Sequence, residues 1–292
     1  MSVLGEPAAS AHGRTGLIGV LVPVVYDLYF SAILSGVAQA AYEHDVRLAL
    51  APTLHDHVRE ASMLERVGLG ATDGTLVILP ETSSADLVQA LADGHPLVVV
   101  DPLVALDDRI PRVAAAHRSG ADQAMRHLLE LGHRRIAAIA GPPGWLATED
   151  RRRGYRAALE ASRIAHDPAL EVDADFEVGP GADAAASLLA LPDPPTAIFA
   201  FNDAIAIGAM RAARERGLRV PEDLSVVGFD DIKYATIVTP SLTTVRQPLA
   251  EMGRAAVRLL LGQASETLHV ELTTRLVVRE STAPPRPSGR EL

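Results

Sequence analysis

Polar and aromatic side chains follow most of the apolar runs in this sequence. The stretch VVGFDDI (226–232), for example, ends in two adjacent carboxylates. In an open parallel sheet, ligands bind beyond the carboxyl ends of the strands, so the residues after each run are the candidates. They are Tyr26–Phe30, Pro80–Thr82, Asp101, Trp145–Arg151, Phe176, Asn202–Asp203 and Asp230–Asp231. Carboxylates and amides make several hydrogen bonds, Arg offers a planar fork, and aromatic faces cover the apolar side of a sugar ring. The set therefore suits a neutral polyhydroxylated ligand.

The carboxylates and the amide also have structural alternatives. Asp203 opens a predicted helix, so an N-cap is the favoured role over a ligand contact, whereas Asn202 is harder to explain as a cap. Asp230 and Asp231 could both form a turn. Neighbours on an extended segment point to opposite sides, so at most one of the two faces a ligand. Asp230, which is nearer the strand, is the preferred candidate.

The aromatic and arginine candidates carry alternatives of the same kind. Phe176 is as consistent with a core position as with a stacking platform. Trp145 lies in a predicted loop after AGPP, where a core role is less expected. The run RRR at 151–153 is mostly a solvated helix face, from which one arginine could reach inward.

Motifs that would indicate catalysis or metal binding are missing from the sequence. It contains no G-x-S-x-G elbow and no phosphate loop with Gly-Lys-Ser/Thr, and GPPG (141–144) lacks the dinucleotide glycine pattern. The pair of histidines in HDH (55–57) has no third ligand nearby. The sequence therefore predicts a protein that is not an enzyme, with no catalytic residues, no cofactor and no metal site.

Composition narrows the class of protein further. The 292 residues suit two lobes, and the absence of cysteine excludes disulfides and thiolate metal sites. A formal net charge of −10 disfavours a free-standing nucleic-acid binder. No apolar run reaches the roughly 18–20 residues that span a bilayer. The stretch LIGVLVPVV (17–25) lacks the basic n-region and cleavage site of an export signal, so a cytoplasmic location is predicted.

Strands and helices alternate along the chain. Strands are predicted at 16–23, 46–52, 74–80, 96–101, 112–116, 134–141, 170–176, 196–201, 224–230 and 268–281, and helices at 30–44, 57–69, 84–94, 119–132, 150–162, 181–191, 203–217 and 248–262. Continuous apolar strands separated by helices indicate parallel sheets covered on both faces. Two such series predict an α/β fold with two doubly wound parallel-sheet lobes.

The order of several motifs resembles one known family. RTGLIGVLVP, LGHRRIAAIAGP, RRRGYRAALEA, AIFAFNDAIAIGAM, GLRVPEDLSVVGFDDI, PSLTTVRQP and LVVRES follow one another over about residues 14–282, as in the LacI/GalR family of bacterial transcription regulators. The resemblance implies a type I periplasmic-binding-protein-like core with three crossovers and an effector in the cleft between the lobes. On this basis we predict an N-terminal lobe of 15–133 plus 246–266 and a C-terminal lobe of 134–245 plus 267–282. Composition predicts that the small, polar arm at 1–14 and the Pro-rich tail at 283–292 are disordered.

The resemblance also implies effector-binding positions. Carried over one at a time, the family's motif residues fall on Tyr29, Phe30, Arg151, Phe176, Asn202, Asp230 and Gln247. With Trp145 from the loop after AGPP, these eight residues form the predicted effector site. Asp231 is then expected to serve the turn. One departure concerns specificity, since the usual Asp-Asn after the strand at 112–116 reads Ala116-His117 here.

A second departure concerns DNA. Regulators of this family begin with a helix-turn-helix, and the residues before RTGLIGV carry no such pattern. We therefore expect operator DNA to be contacted only through a helix-turn-helix absent from this chain, and the chain alone not to bind its operator. The predicted function is the sensing core of a LacI-type regulator that binds a sugar-like or nucleoside-like effector as a homodimer, without a membrane. Alternatives are a sugar-binding solute-capture protein of a transporter and an enzyme on the same scaffold.

Overall fold

Two parallel α/β arrangements follow one another along the chain. The computed structural model describes residues 15–68, 71–263 and 268–286. In chain order the elements are β1 (Leu17–Val22), α1 (Leu28–Glu43), β2 (Arg47–Pro52), α2 (His57–Gly68), β3 (Gly74–Ile78), α3 (Ser84–Ala92), β4 (Leu97–Val100), β5 (Arg112–Ala115), α4 (His117–Glu130), β6 (Ile136–Ala140), α5 (Leu146–Ala161), β7 (Glu171–Asp173), α6 (Val178–Leu189), β8 (Ala197–Ala200), α7 (Asp203–Glu215), β9 (Ser225–Asp230), β10 (Thr243–Arg246), α8 (Leu249–Leu260), β11 (His269–Leu272) and β12 (Arg275–Val277).

The strands form two sheets within the described residues. Their orders are β11-β5-β4-β3-β1-β2 and β12-β10-β9-β8-β6-β7. The strands from β5 to β2 pair in parallel, as do those from β10 to β7, and β12 adds an antiparallel edge to β10. Every residue of β3, β4, β6, β8 and β9 is buried, which explains their uninterrupted apolar sequences. The predicted α/β class with two doubly wound lobes is confirmed.

The chain divides into two compact units. The first unit takes the described residues up to Ala114 together with Leu249–Val270, and the second takes Ala115–Pro248 together with the residues from Glu271 onward. The chain therefore passes from one unit to the other three times, as the predicted architecture requires. Each passage lies within a strand or just after one. Because the chain crosses three times, neither unit is built from one continuous segment.

The first passage lies earlier than the predicted boundary between residues 133 and 134. Helix α4 belongs to the second unit, because its Ala121, Met125 and Leu128 are fully buried in one apolar cluster with Tyr155 and Phe199. The predicted boundary placed α4 with the strand before it. The correction follows from packing, since the turn between β5 and α4 is too short to carry a linker signature.

The tail and two further segments also differ from expectation. Strand β10 had not been predicted, and the strand expected at 268–281 is divided between β11 in the first sheet and β12 in the second. The disordered tail expected from 283 is wrong for its first residues, because the Ala283 carbonyl accepts a hydrogen bond from His133 at 2.9 Å and Arg286 pairs with Asp223 at 2.5 Å. The expected arm at 1–14 and the remainder of the tail lie outside the described residues.

Within the described ranges, no helix has the length and apolar character to cross a bilayer.

Candidate functional site

Six of the eight predicted effector residues lie in the second unit, at or beside the carboxyl ends of its parallel strands. Asp230 ends β9, and Phe176, Asn202 and Gln247 follow β7, β8 and β10. Trp145 is the N-cap residue of α5, and Arg151 lies in the second turn of that helix. The order of parallel strands in this sheet therefore brings residues that are distant in sequence to one edge.

A buried charge pair forms the centre of this group. Arg151 is 3% exposed and Asp230 is 6% exposed, and Arg151 Nη2 lies 3.7 Å from Asp230 Oδ1. Gln247 Nε2 donates a hydrogen bond of 2.6 Å to the same carboxylate oxygen. The guanidinium lies over the Phe229 ring, with 3.9 Å between Arg151 Cζ and the ring centroid. The arginine expected to reach inward is therefore Arg151, fixed against an aromatic face.

Two further acceptors hold the guanidinium in place. Arg151 Nη1 donates to the Phe201 carbonyl, and Nη2 lies 3.2 Å from His117 Nδ1. A guanidinium can only donate, so His117 Nδ1 is the acceptor in this contact. His117 is buried at the first position of α4 and was not among the predicted site residues. His117 stands where the resembled family usually has asparagine, and this departure could have marked it as a site residue from the sequence.

Three buried polar atoms around this pair have no hydrogen-bond partner in the described part of the chain. They are Arg151 Nε, Gln247 Oε1 and Thr148 Oγ1. Buried polar groups in folded proteins are nearly always paired, by protein, water or ligand. A Cβ added at Gly141 would come within 2.7 Å of Thr148 Oγ1 and 2.0 Å of Phe176 Cζ, so Thr148 and Phe176 approach the same stretch of backbone. One donor, one acceptor and one hydroxyl are thus available at this edge of the sheet.

Aromatic side chains adjoin the charge pair. The Trp145 and Phe176 ring centroids lie 5.7 Å apart with 59° between the ring planes, and Arg151 Cζ is 5.9 Å from the Phe176 centroid. Phe176 also packs partly against two apolar clusters of the second unit, so it combines the two roles that the sequence left open. Trp145 is the single tryptophan of the chain.

The N-cap of α7 is Asn202 and not Asp203, for which the sequence favoured that role. Asn202 is the N-cap of α7, because its Oδ1 accepts the Ile205 N–H at 2.8 Å and its backbone is extended (φ −148°, ψ 172°). Its Nδ2 contacts the Phe176 carbonyl at 3.5 Å. Asp203 is fully buried and points into the sheet. Its pKa is raised well above the usual range, mainly by burial and to a smaller extent by the charge of Asp230.

The turn after β9 separates its two carboxylates. Asp230 and Asp231 both adopt positive φ, at 116° and 58°, which is uncommon for residues with a Cβ. Asp231 pairs with Arg279 at 2.6 Å and also with Arg246, whereas the carboxylate of Asp230 lies beside Arg151 and Gln247. Asp231 therefore ties the turn to neighbouring segments, as its expected role in the turn requires.

The remaining two predicted residues lie in the first unit. Tyr29 Oη donates to Asp101 Oδ2 at 2.5 Å, and Asp101 follows β4 at the carboxyl edge of the first sheet. Phe30 is buried, with its ring 5.3 Å from that of Tyr29 in an edge-on arrangement. Asp27 caps α1 by accepting the Tyr29 N–H at 2.7 Å, which fixes the start of the helix that carries both rings.

No set of three or more histidine, aspartate or glutamate side chains suited to a metal ion occurs within residues 15–68, 71–263 and 268–286. In the HDH stretch, His55 instead lies 3.6 Å from Glu81.

Comparison with known proteins places this arrangement in a family. The profile described as periplasmic binding protein-like domain matches residues 125–282. The ribose operon repressor of Halalkalibacterium halodurans is 34% identical over 275 residues, which cover 93% of this chain and 81% of that protein. The HTH-type transcriptional repressor CytR of Escherichia coli K12 is 35% identical, over 96% of this chain and 82% of its own length. The chain belongs to the LacI/GalR family of transcriptional regulators.

A solved structure supports the same assignment. The complex of the transcriptional regulator CelR with cellobiose is similar at a TM-score of 0.82 with 33% identity, over 92% of this chain and 85% of that one. The LacI/GalR relatives are regulators rather than transporter components, so the solute-capture alternative is not favoured. They are also repressors rather than enzymes. The predicted location of the effector between the lobes stays a prediction.

Proposed function

We propose that this LacI/GalR chain senses a neutral polyhydroxylated effector, a sugar or a nucleoside-like molecule, through the residues described above. One observation carries the proposal: the buried Arg151–Asp230 pair has unpartnered polar atoms, Arg151 Nε and Gln247 Oε1, beside the rings of Trp145 and Phe176. Such buried groups are normally paired by protein, water or ligand, because each one left unpaired costs about 1–3 kcal/mol.

The chemistry of each group suits a hydroxylated ring. The Asp230 carboxylate can accept hydroxyl hydrogens, Arg151 Nε–H can donate to a ring or hydroxyl oxygen, and Gln247 Oε1 can accept one more. The Trp145 and Phe176 rings can cover the apolar face of the ligand. Each ligand hydroxyl both donates and accepts, so a mixed set of this kind recognises polyols better than purely apolar molecules.

The charges favour a neutral ligand over an ion. One guanidinium faces one carboxylate at 3.7 Å, so the buried pair carries no net charge. An anionic ligand would meet Asp230 and a cationic one would meet Arg151, both in a buried setting where like charges are costly. Relatives whose names mention ribose and cellobiose are consistent with this class.

The regulatory part of the proposal follows from linkage. An effector shifts the balance between two conformations only by as much as it binds one of them more tightly. We propose that effector binding in this way alters operator binding by a homodimer, with the DNA contacted by a helix-turn-helix of the kind for which relatives such as CytR are named. Such a regulator would work in the cytoplasm.

The experiment is a ligand screen with a matched pair of variants. Pentoses, hexoses, disaccharides and nucleosides, beginning with D-ribose and cellobiose, are tested by thermal shift, and compounds that raise Tm are measured by calorimetry. Asp230→Ala should weaken binding about 10- to 100-fold, since hydrogen bonds to a charged group contribute about 1.5–3 kcal/mol each. Asp183→Ala on the exposed face of α6 is the control and should bind like wild type. Wild-type affinity in Asp230→Ala would remove this site from the function.

A further inference from the structure

A fully buried carboxylate lies directly behind the effector site of the second unit. Asp203 is 0% exposed at the first position of α7. Its Oδ2 accepts the Ile232 N–H at 2.9 Å, and its Oδ1 accepts the Thr244 hydroxyl at 2.5 Å. One side chain thus contacts the turn after β9 and the strand β10. Asp203 has no exposed surface, and both of its carboxylate oxygens are already paired within the protein.

The sheet is shaped to receive this carboxylate. A Cβ added at Gly228 in β9 would come within 2.3 Å of Asp203 Oδ1, so any side chain there would displace it. The glycine therefore leaves the space that Asp203 fills. A buried carboxylate is costly unless it is hydrogen-bonded, and both of its oxygens are used here.

The turn that Asp203 contacts needs an external anchor. Asp230 and Asp231 are consecutive residues with positive φ, a conformation that costs on its own and persists only where the surroundings impose it. Arg279 and Arg246 hold Asp231 from one side. The hydrogen bond from Ile232 to Asp203 holds the next residue from the other.

We propose that Asp203 is a positioning residue: it ties the turn after β9 to β10 and thereby holds the Asp230 carboxylate in place for the effector. The inference rests on the proposed function, because it takes Asp230 as an effector contact. Asp203 itself touches neither the effector nor the Arg151 guanidinium; it acts through the backbone of residue 232 and through the strand that precedes Gln247.

The test uses variants of Thr244 as well as Asp203, because Asp203→Ala could fail to fold. Thr244→Val removes the hydroxyl contact to Asp203 at nearly constant shape, and Thr244→Ser restores it. Thr75→Val is the matched control: Thr75 is equally buried, on β3 of the first unit, and its hydroxyl pairs with His95 Nε2 at 2.8 Å instead. Both valine variants lose one buried hydroxyl bond, so their Tm values should fall together.

Two measurements separate positioning from general stability. The first is amide hydrogen exchange at Ile232 without any ligand, which should accelerate at least 10-fold in Thr244→Val and in Asp203→Ala relative to Thr75→Val. The second is the affinity for D-ribose by calorimetry, which should fall about 5- to 20-fold in Thr244→Val and recover in Thr244→Ser. Thr75→Val should keep the wild-type affinity.

The outcomes distinguish the inference from the function on which it rests. Unchanged exchange at Ile232 in both Thr244→Val and Asp203→Ala would overturn the inference whatever the protein binds. Faster exchange with wild-type affinity for D-ribose would also overturn it, because the turn would then move without affecting the site. If wild type binds neither D-ribose nor any other compound of the screen, the proposed function fails, and the exchange data alone decide whether Asp203 anchors the turn.

Discussion

The Arg151–Asp230 pair is expected to couple strongly in folding, and a double-mutant cycle can measure that coupling. Arg151→Met removes the guanidinium but keeps most of the buried stem, and Asp230→Asn removes the charge at constant shape. The two groups are nearly fully buried and 3.7 Å apart. At an effective dielectric constant of about 20, unit charges at roughly that distance interact by about 4 kcal/mol, which is an upper bound before desolvation is subtracted.

The size of each single effect follows from the contacts that are lost. Arg151→Met also removes the hydrogen bonds to the Phe201 carbonyl and His117, so we expect it to destabilise by about 3 kcal/mol. Asp230→Asn keeps an oxygen that can accept from Gln247 and should cost about 1–2 kcal/mol. In the double variant the remaining charge is gone, so the loss should be smaller than the sum by about 1–2 kcal/mol.

Urea unfolding of wild type, both single variants and the double variant gives the coupling energy directly. Arg153→Met, on the exposed part of the same helix, is the control for replacing an arginine with methionine and should change stability by less than about 0.5 kcal/mol. Additivity within about 0.3–0.5 kcal/mol would show that the two charges do not interact in the folded protein, and would refute the charge balance on which the neutral-ligand argument depends.

Three other outcomes follow from the structure. Gly36→Ala should lower the free energy of unfolding in urea by about 2 kcal/mol or more, because the new Cβ would lie 1.8 Å from the Ala250 carbonyl oxygen. Gly179→Ala is the control: the space around its new Cβ is open, so this variant should not be destabilised. Asp203→Asn should gain stability relative to wild type as the pH rises above about 4, the pKa of this carboxyl group in the unfolded chain. The folded protein raises the pKa of Asp203, so ionisation above that pH destabilises wild type but not the asparagine variant. An unchanged difference in Tm between the two from pH 4 to 8 would contradict this. Glu171→Gln should lose about 1–2 kcal/mol at pH 7. Burial alone would raise the pKa of Glu171, but hydrogen bonds from Arg156, His166 and Arg152 outweigh it and lower the pKa. The loss should therefore shrink as the pH falls below the unfolded pKa near 4.5, and a loss that is the same at pH 7 and pH 3 would exclude this cause.

The architecture could be predicted from the sequence because buried parallel strands have a local signature. The runs that became β3, β4, β6, β8 and β9 are short, apolar and separated by helical periodicity, and each was recognised. Strand β10 was missed because Thr243 and Thr244 make it look polar. Those hydroxyls are satisfied by Arg279 and Asp203, partners that lie far away in sequence.

The roles of individual site residues depend on the directions of their side chains, which cannot be read from the sequence. Asn202 and Asp203 are both acceptable caps by residue type, and only the backbone at the start of α7 decides which one caps and which turns into the sheet. Likewise, His117 became a partner of Arg151 because the chain passes into the second unit just before α4. The strand-end rule identified the segments, whereas the contacts between side chains required the folded structure.

The central claim is that the effector binds beside Arg151 and Asp230, next to the only tryptophan of the sequence. The most direct test is therefore fluorine NMR of protein labelled with 5-fluorotryptophan, in which Trp145 gives a single resonance. Adding D-ribose, or whichever sugar or nucleoside of the screen raises Tm most, should shift that resonance in wild type, and the shift should be lost or need a much higher concentration in Asp230→Ala. A compound that stabilises wild type while leaving the Trp145 resonance unchanged would show that the effector binds elsewhere and would contradict the account.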